Sequence, residues 1–319
     1  MLEHILLPMD GSALAERVLP HAVSLTNAFG SKLTLLRVLY HEESAVSHDL
    51  VNPLDWQIRK TEAESYMKSL QDRLSEINIE SEVQIVEGKP AQQIIEFAHD
   101  NHVQMIVMSS HGSSGISEWN INSTVQKVLL RAKMPVMIVR AYQDPHDKLE
   151  GLTYERIMVP LDGSKRAECT LPLAESISSE QNSTVFLSHI VEVPHLPCQT
   201  PLSEEEEAVI ERLNTINEKE TQKYLSALVE QLNIEKIETI IERSHKATFT
   251  LHKIIEREGI DLVLLSAHGS SGDSCWPYGK IPLNFIAFGT TPLIIMQDLS
   301  KDEFEKSLAE LHAEQTKGH

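Results

Sequence analysis

Short runs of Val, Ile, Leu and Met recur along the chain, each followed by a stretch whose apolar residues return every three or four positions. In the first half the runs are residues 5–9, 33–39, 82–86, 105–109 and 136–140. They are apolar on both sides of a two-residue period, which predicts parallel strands covered on both faces. The intervening stretches predict amphipathic helices. Over residues 13–29, Leu14, Val18, Ala22, Leu25 and Phe29 share one face, and Gly30 supplies a stop. Residues 56–77 place Ala63, Tyr66, Met67, Leu70, Leu74 and Ile77 together, and Pro90 opens a helix over 91–99.

The second half repeats this order, with strands expected near residues 157–161, 185–191, 237–241, 262–267 and 293–297. Ser203-Glu204-Glu205-Glu206 reads as a capping box before a long acidic helix. Pro20 and Pro172 are expected to kink or shorten the first helix of each half. Five alternations of strand and helix per half predict an open parallel α/β sheet with right-handed crossovers.

The halves also align residue by residue. "ILLPMDGSALAERVLPHA" from Ile5 matches "IMVPLDGSKRAECTLPLA" from Ile157 without gaps, at an offset of 152. "SSHGSSG" from Ser109 returns as "SAHGSSG" from Ser266 at an offset of 157. An ungapped match of this length is the mark of a duplicated domain. The expected division is a first domain at 1–143, a linker at 144–153, a second domain at 154–298, and a tail at 299–319 with a short amphipathic helix. A length of 319 residues fits two domains of about 100–200 residues each.

The formal charge of −19 argues against nucleic acid and anionic membrane as bulk partners, although a local pocket can still hold an anion. The opening "MLEHILLP" lacks a basic segment and a long apolar core, so no secretion signal is expected. No apolar stretch approaches the roughly 20 residues of a spanning helix. Three widely spaced cysteines, Cys169, Cys198 and Cys275, indicate neither a disulfide framework nor a Cys-x-x-Cys metal site. The expected location is the cytoplasm.

In an open parallel sheet, ligands bind beyond the carboxyl ends of the strands. Two elements of each half fall there: Asp10-Gly11-Ser12 or Asp162-Gly163-Ser164 after the first strand, and the His-Gly loop after the fourth. A triad of Ser12 or Ser113, His111 and Asp10 lacks the Gly-x-Ser-x-Gly elbow that presents a nucleophile. The fifteen histidines form no His-Glu-x-x-His and no cluster at ligand spacing. Glycines before a helix start near Asn122-Ser123 suit a phosphate, whose oxygens free backbone N–H groups would meet. The same glycines also suit a plain turn. Asp10 and Asp162 have two readings, an N-cap for the first helix and an acceptor for an amine such as that of adenine.

This pattern resembles the universal stress protein family in two fused copies covering nearly the whole chain. That family's signature is Gly-x-x-Gly, nine residues, then Gly-Ser/Thr, preceded by Pro-x-Asp. Here the first copy reads Ser109-x-x-Gly112, nine residues, Asn122-Ser123, and the second reads Ser266-x-x-Gly269, nine residues, Gly279-Lys280, with Pro8-Met9-Asp10 and Pro160-Leu161-Asp162 upstream. The resemblance implies two Rossmann-like sheets of the adenine nucleotide alpha hydrolase kind, with strand order 3-2-1-4-5 and helices on both faces. It implies an adenine-nucleotide site, holding ATP, ADP or AMP, with Mg accompanying the nucleotide.

By position, Asp10 would face adenine, Val38 would flank base and ribose, and Gly112, Ser113, Asn122 and Ser123 would surround the phosphates. Pro8, Met9, Gly11, Met108, Ser109, His111 and Thr124 complete that site. In the second copy the counterparts are Pro160, Leu161, Asp162, Gly163, Ile190, Ser266, His268, Gly269, Ser270, Gly279, Lys280 and Ile281. Ser replaces the first signature glycine in both copies, Asn122 replaces the later one, and Lys280 replaces the hydroxyl. Arg243-Ser244-His245-Lys246 replaces the Gly-x-Pro helix start. The first site is therefore expected to be the better binder.

Three functions follow as expectations: a non-catalytic nucleotide sensor in a stress response, a slow ATPase, or a ligand-free scaffold that works by dimerising. The resemblance further suggests that the two domains pair within the chain through their edge strands, and a homodimer is compatible with it.

Overall fold

Two sheets of five parallel strands organise the chain. The computed structural model describes residues 2–40, 53–111, 123–140, 148–194, 203–270 and 278–298. It divides between Thr153 and Tyr154 into two units.

In the first unit, β1 (His4–Pro8), β2 (Lys32–Leu39), β3 (Ser81–Glu87), β4 (Met105–Ser109) and β5 (Val136–Val139) lie in the order β3-β2-β1-β4-β5. All pairings within it are parallel, with Ile5 opposite both Leu33 and Met105. The second unit repeats the arrangement with β6 (Arg156–Pro160), β7 (Thr184–Glu192), β8 (Ile237–Ser244), β9 (Leu262–Ser266) and β10 (Leu293–Met296), in the order β8-β7-β6-β9-β10. The expected order 3-2-1-4-5 is thus present in each unit. Every residue of β4 and β9 is buried, which requires cover on both faces.

The helices follow the predicted periodicity. In the first unit they are α1 (Leu19–Phe29), α2 (Pro53–Ser75), α3 (Pro90–Asp100) and α4 (Ser123–Leu129); in the second, α5 (Leu171–Gln181), α6 (Glu204–Gln231), α7 (Ala247–Glu258) and α8 (Lys280–Phe288). On α2 the buried positions are Ala63, Met67, Leu70 and Leu74, each large one contributing about 1.5–3 kcal/mol by leaving water. The half of α2 before Ala63 fully buries no side chain among those described.

Two expectations are refined. The helix expected over residues 13–29 is a short 3-10 turn, Ala15–Val18, followed by α1, with Pro20 in the first turn of α1, where its missing N–H costs nothing. Pro172 takes the same place in α5 after the 3-10 turn Ala167–Thr170. Of the two expected effects, the prolines shorten the α-helix by marking its start and do not kink it. The Ser203–Glu206 capping box forms as predicted, each residue bonding the other's backbone N–H. The helix expected in the tail lies outside the described residues.

His4 pins the edge of β1. Its Nδ1 donates to the Asn101 carbonyl at 3.1 Å, which leaves Nε2 to accept from the Thr34 hydroxyl at 2.9 Å. Burial holds its pKa below the ordinary histidine value. The Asn101 carbonyl opposes this; among nearby charges, Lys32 lowers it and Glu82 raises it. A histidine depressed in the folded state stabilises the fold above its unfolded pKa of about 6.5, and that stability is lost as pH falls below it. Urea unfolding of the whole chain between pH 7.5 and 5.5 should therefore show wild type losing stability more steeply than His4→Gln, whereas parallel profiles would remove His4 from this role.

Candidate functional site

The chain leaves β1 through a turn that the sequence Asp-Gly-Ser builds twice. Asp10 Oδ1 accepts from the Ser12 backbone N–H at 2.9 Å and from its hydroxyl at 2.6 Å, while Ser12 Oγ accepts from Ala15 N–H at 3.1 Å. Asp162, Ser164 and Ala167 repeat this at 3.0, 2.6 and 3.2 Å. Gly11 and Gly163 sit at φ of +85° and +82°, a region that side chains with a Cβ rarely enter. The N-cap reading of the two aspartates is corrected by this geometry. Each carboxylate closes an Asx turn, and the serine hydroxyl accepts from the N–H of the first residue of the following 3-10 turn.

In the first unit the turn borders a cavity of about 640 Å³ at the carboxyl ends of β1, β2 and β4. Of the residues expected there, Pro8, Met9, Asp10, Gly11, Val38, Met108, Ser109, His111 and Thr124 line it. Ser123 opens α4 and is exposed, outside the lining. Gly112, Ser113 and Asn122 lie outside the described residues. The second unit has a matching cavity of about 530 Å³. Pro160, Leu161, Asp162, Ile190, Ser266, His268, Gly269, Ser270 and Ile281 line it, and Gly163, Gly279 and Lys280 do not. Lys280 stands exposed in the first turn of α8.

The histidine of each loop lines its cavity and meets a neighbouring side chain through Nδ1. His111 is buried, and its Nδ1 meets Ser110 Oγ at 3.0 Å. Ser12 Oγ, the partner a triad would need, donates to Asp10 instead. His268 is held by Asp298, whose Oδ1 accepts from its backbone N–H at 2.9 Å and lies 2.8 Å from Nδ1; both side chains are 1% exposed. Arg166 Nε lies 3.7 Å from the other oxygen of Asp298.

Sequence reasoning missed the wall supplied by the long helix of each unit. Trp56, Arg59, Glu62 and Tyr66 of α2 line the first cavity, together with Arg37 and Tyr40 at the end of β2. The Arg37 guanidinium donates to the Met9 carbonyl at 3.2 Å and lies 3.7 Å from where a Cβ on Gly11 would stand. Burial, reinforced by the Glu16 carboxylate, pushes the Tyr66 phenol far above its usual range. In the second unit Tyr224 donates to Glu168 at 3.2 Å, the same pairing at shifted numbers. The shift is 158 from Tyr66 to Tyr224 and 152 from Glu16 to Glu168. The two offsets differ by six, so no single ungapped alignment of the halves joins this pair, and the sequence carries no local signal for it.

The second cavity is partly braced from within. Asp162 Oδ2 accepts from Ser270 N–H at 2.6 Å, tying the turn after β6 to the loop after β9. Burial works against its ionisation, but hydrogen bonds from Ser164 and Ser270 outweigh it and hold the carboxyl below the usual aspartate range. Gly269 is needed for this approach, since a Cβ there would fall on Asp162 Oδ2. Gly269→Ala should break the bridge and destabilise the chain by about 1–3 kcal/mol. The same change made on an Asp162→Ala background should cost much less, and additive costs in that urea-unfolding cycle would refute the coupling.

Residues 1–140 and 153–282 each match the model of the Universal stress protein family. A universal stress protein of Methanocaldococcus jannaschii is 25% identical over 146 residues, covering 44% of this chain and 83% of that relative. Universal stress protein YxiE of Bacillus subtilis is 27% identical over 150 residues, covering 44% of this chain and all of that one (100%). The crystal structure of a universal stress protein from Archaeoglobus fulgidus matches the fold with a TM-score of 0.68 at 18% identity, covering 94% of this chain and 100% of that chain. With two copies of the signature spacing, two sheets of the same strand order and a family match across both units, the chain belongs to the universal stress protein family.

Proposed function

We propose that this chain is a nucleotide-responsive member of its family, in which the first domain binds an adenine nucleotide, ATP foremost, and its occupancy is the signal. The observation that carries this reading is the first cavity. Its volume of about 640 Å³ falls within the range of roughly 300–1,000 Å³ typical of small-ligand sites. It lies at the carboxyl ends of the central strands, where open α/β sheets take their ligands. The turn with Asp10, the wall with Val38 and Met108, and the start of α4 with Thr124 converge on it. Trp56 and Tyr66 add flat apolar surfaces suited to a purine. Arg37 and Arg59 add cations suited to phosphate. A magnesium ion would arrive with the nucleotide phosphates.

The reading is of a binding module, without dedicated catalysis. A phosphoryl-transfer enzyme needs a group that orients the attacking water. The two most obvious candidates near the mouth, Asp10 and Ser12, are engaged with each other. Retention of nucleotide without turnover is the expected behaviour.

Isothermal titration of the whole chain with ATP, ADP and AMP tests this. At least one high-affinity site for ATP is expected, and Asp10→Ala should weaken it by roughly tenfold, because the turn that shapes the cavity floor loses its brace. Absence of binding at millimolar nucleotide would end the proposal. Turnover above background that Asp10→Ala abolishes would replace it with an ATPase.

A further inference from the structure

The two cavities share a frame but differ in charge at matching positions. Pro8 pairs with Leu36 in the first sheet, and Pro160 with Ser188 in the second, so the residues that follow on β2 and β7 correspond one to one. Arg37 therefore corresponds to His189, and Tyr40 to Glu192. The two lid helices correspond through Tyr66 and Tyr224, which places Asn217 at the position of Arg59 and Glu220 at that of Glu62.

In the first cavity two arginines, Arg37 and Arg59, face two carboxylates, Asp10 and Glu62. Both arginines are lost from the second, both carboxylates are kept, and Glu192 is added. Among the described residues no lysine or arginine lines the second cavity. The loop segments 112–122 and 271–277 contain no lysine or arginine in either copy. Burial holds His189 below the ordinary histidine pKa, against the pull of Asp162, so at neutral pH it adds no cation.

What the second cavity gains is neutral hydrogen-bonding capacity. Ser188, fully buried, stands where the first has Leu36, and its hydroxyl has no partner. His189 Nδ1 is likewise buried without a partner. Asn217 and Thr221 face the same space from α6. Carboxylates beside neutral donors and acceptors match the hydroxyls of a ribose, and they repel phosphate.

We propose that the two cavities divide one ligand class by phosphate content: the first takes the nucleoside polyphosphate, and the second takes the nucleoside with no phosphate. This rests on the reading of the first cavity as an adenine-nucleotide site. It makes the chain a device that senses both ends of the phosphorylation scale at once, with Arg37 and Arg59, or His189 and Asn217, as the residues that set the selection.

Photolabelling of the whole chain at neutral pH tests this site by site. 8-Azido-ATP and 8-azidoadenosine are applied separately at equal concentration, and the labelled peptides are assigned by mass spectrometry to residues 1–153 or 154–319. 8-Azido-ATP is expected to label the first domain at least about tenfold more than the second, and 8-azidoadenosine to label the second. In His189→Arg/Asn217→Arg, labelling of the second domain by 8-azido-ATP should rise about tenfold. In Arg37→His/Arg59→Asn, labelling of the first should fall by a similar factor. Equal labelling of both domains by 8-azido-ATP, or a second domain that takes neither probe, overturns this proposal while leaving the first-domain reading intact. A first domain that does not take 8-azido-ATP ends both.

Discussion

Parallel strands all finish on the same side of their sheet, and the consequences of that constraint run through the whole molecule. β1 and β4 are adjacent and parallel, so the chain leaves both at the same edge of the sheet. The Asp-Gly-Ser turn and the His-Gly loop are thereby brought to one mouth, although about a hundred residues separate them. Polar backbone at such a mouth must find partners, because an unpaired buried amide is costly. Each turn therefore carries its own acceptor, an aspartate whose oxygen closes an Asx turn and holds the serine that receives the next N–H.

The aspartate has two oxygens, and the second unit shows what the other can do. Asp162 reaches across to Ser270 and staples the two loops together, with Gly269 leaving room for the contact. Behind that loop His268 is locked to Asp298 in a fully buried pair. A buried pair of this kind is strongly destabilising to break, so its worth lies in fixing one loop geometry rather than in net stability. The turn and loop that floor the second cavity are thus joined to each other, while the side chains of the second strand and of the long helix differ between the two units.

That variation separates two copies that began alike. Strand order, turn chemistry and the tyrosine–glutamate pairing of the lid persist in both units. The changes concentrate on charged and hydrogen-bonding side chains at the rim, which can be exchanged without disturbing the core. Arg37 and His189 illustrate the point: each is the strand residue that follows a fully buried one, and neither substitution alters the register of its sheet.

Much of the fold could be read along the chain because it depends on local pattern. Alternating apolar runs and helical periodicities placed the strands and helices, Pro90 and the Ser203–Glu206 box marked helix starts, and the repeat announced two domains. The Asp-Gly-Ser turns and the neighbourhood of the His-Gly loops were legible for the same reason, since their chemistry sits within a few consecutive residues. Tertiary structure alone decided how Asp10 and Asp162 use their oxygens, because the choice between capping a helix and closing a turn depends on where the helix begins. It also decided that Arg37, Trp56 and Arg59 share a cavity with Asp10 while Lys280 does not. A lid helix is joined to its site only by packing, and packing is a property of distances in space that no spacing along the chain records.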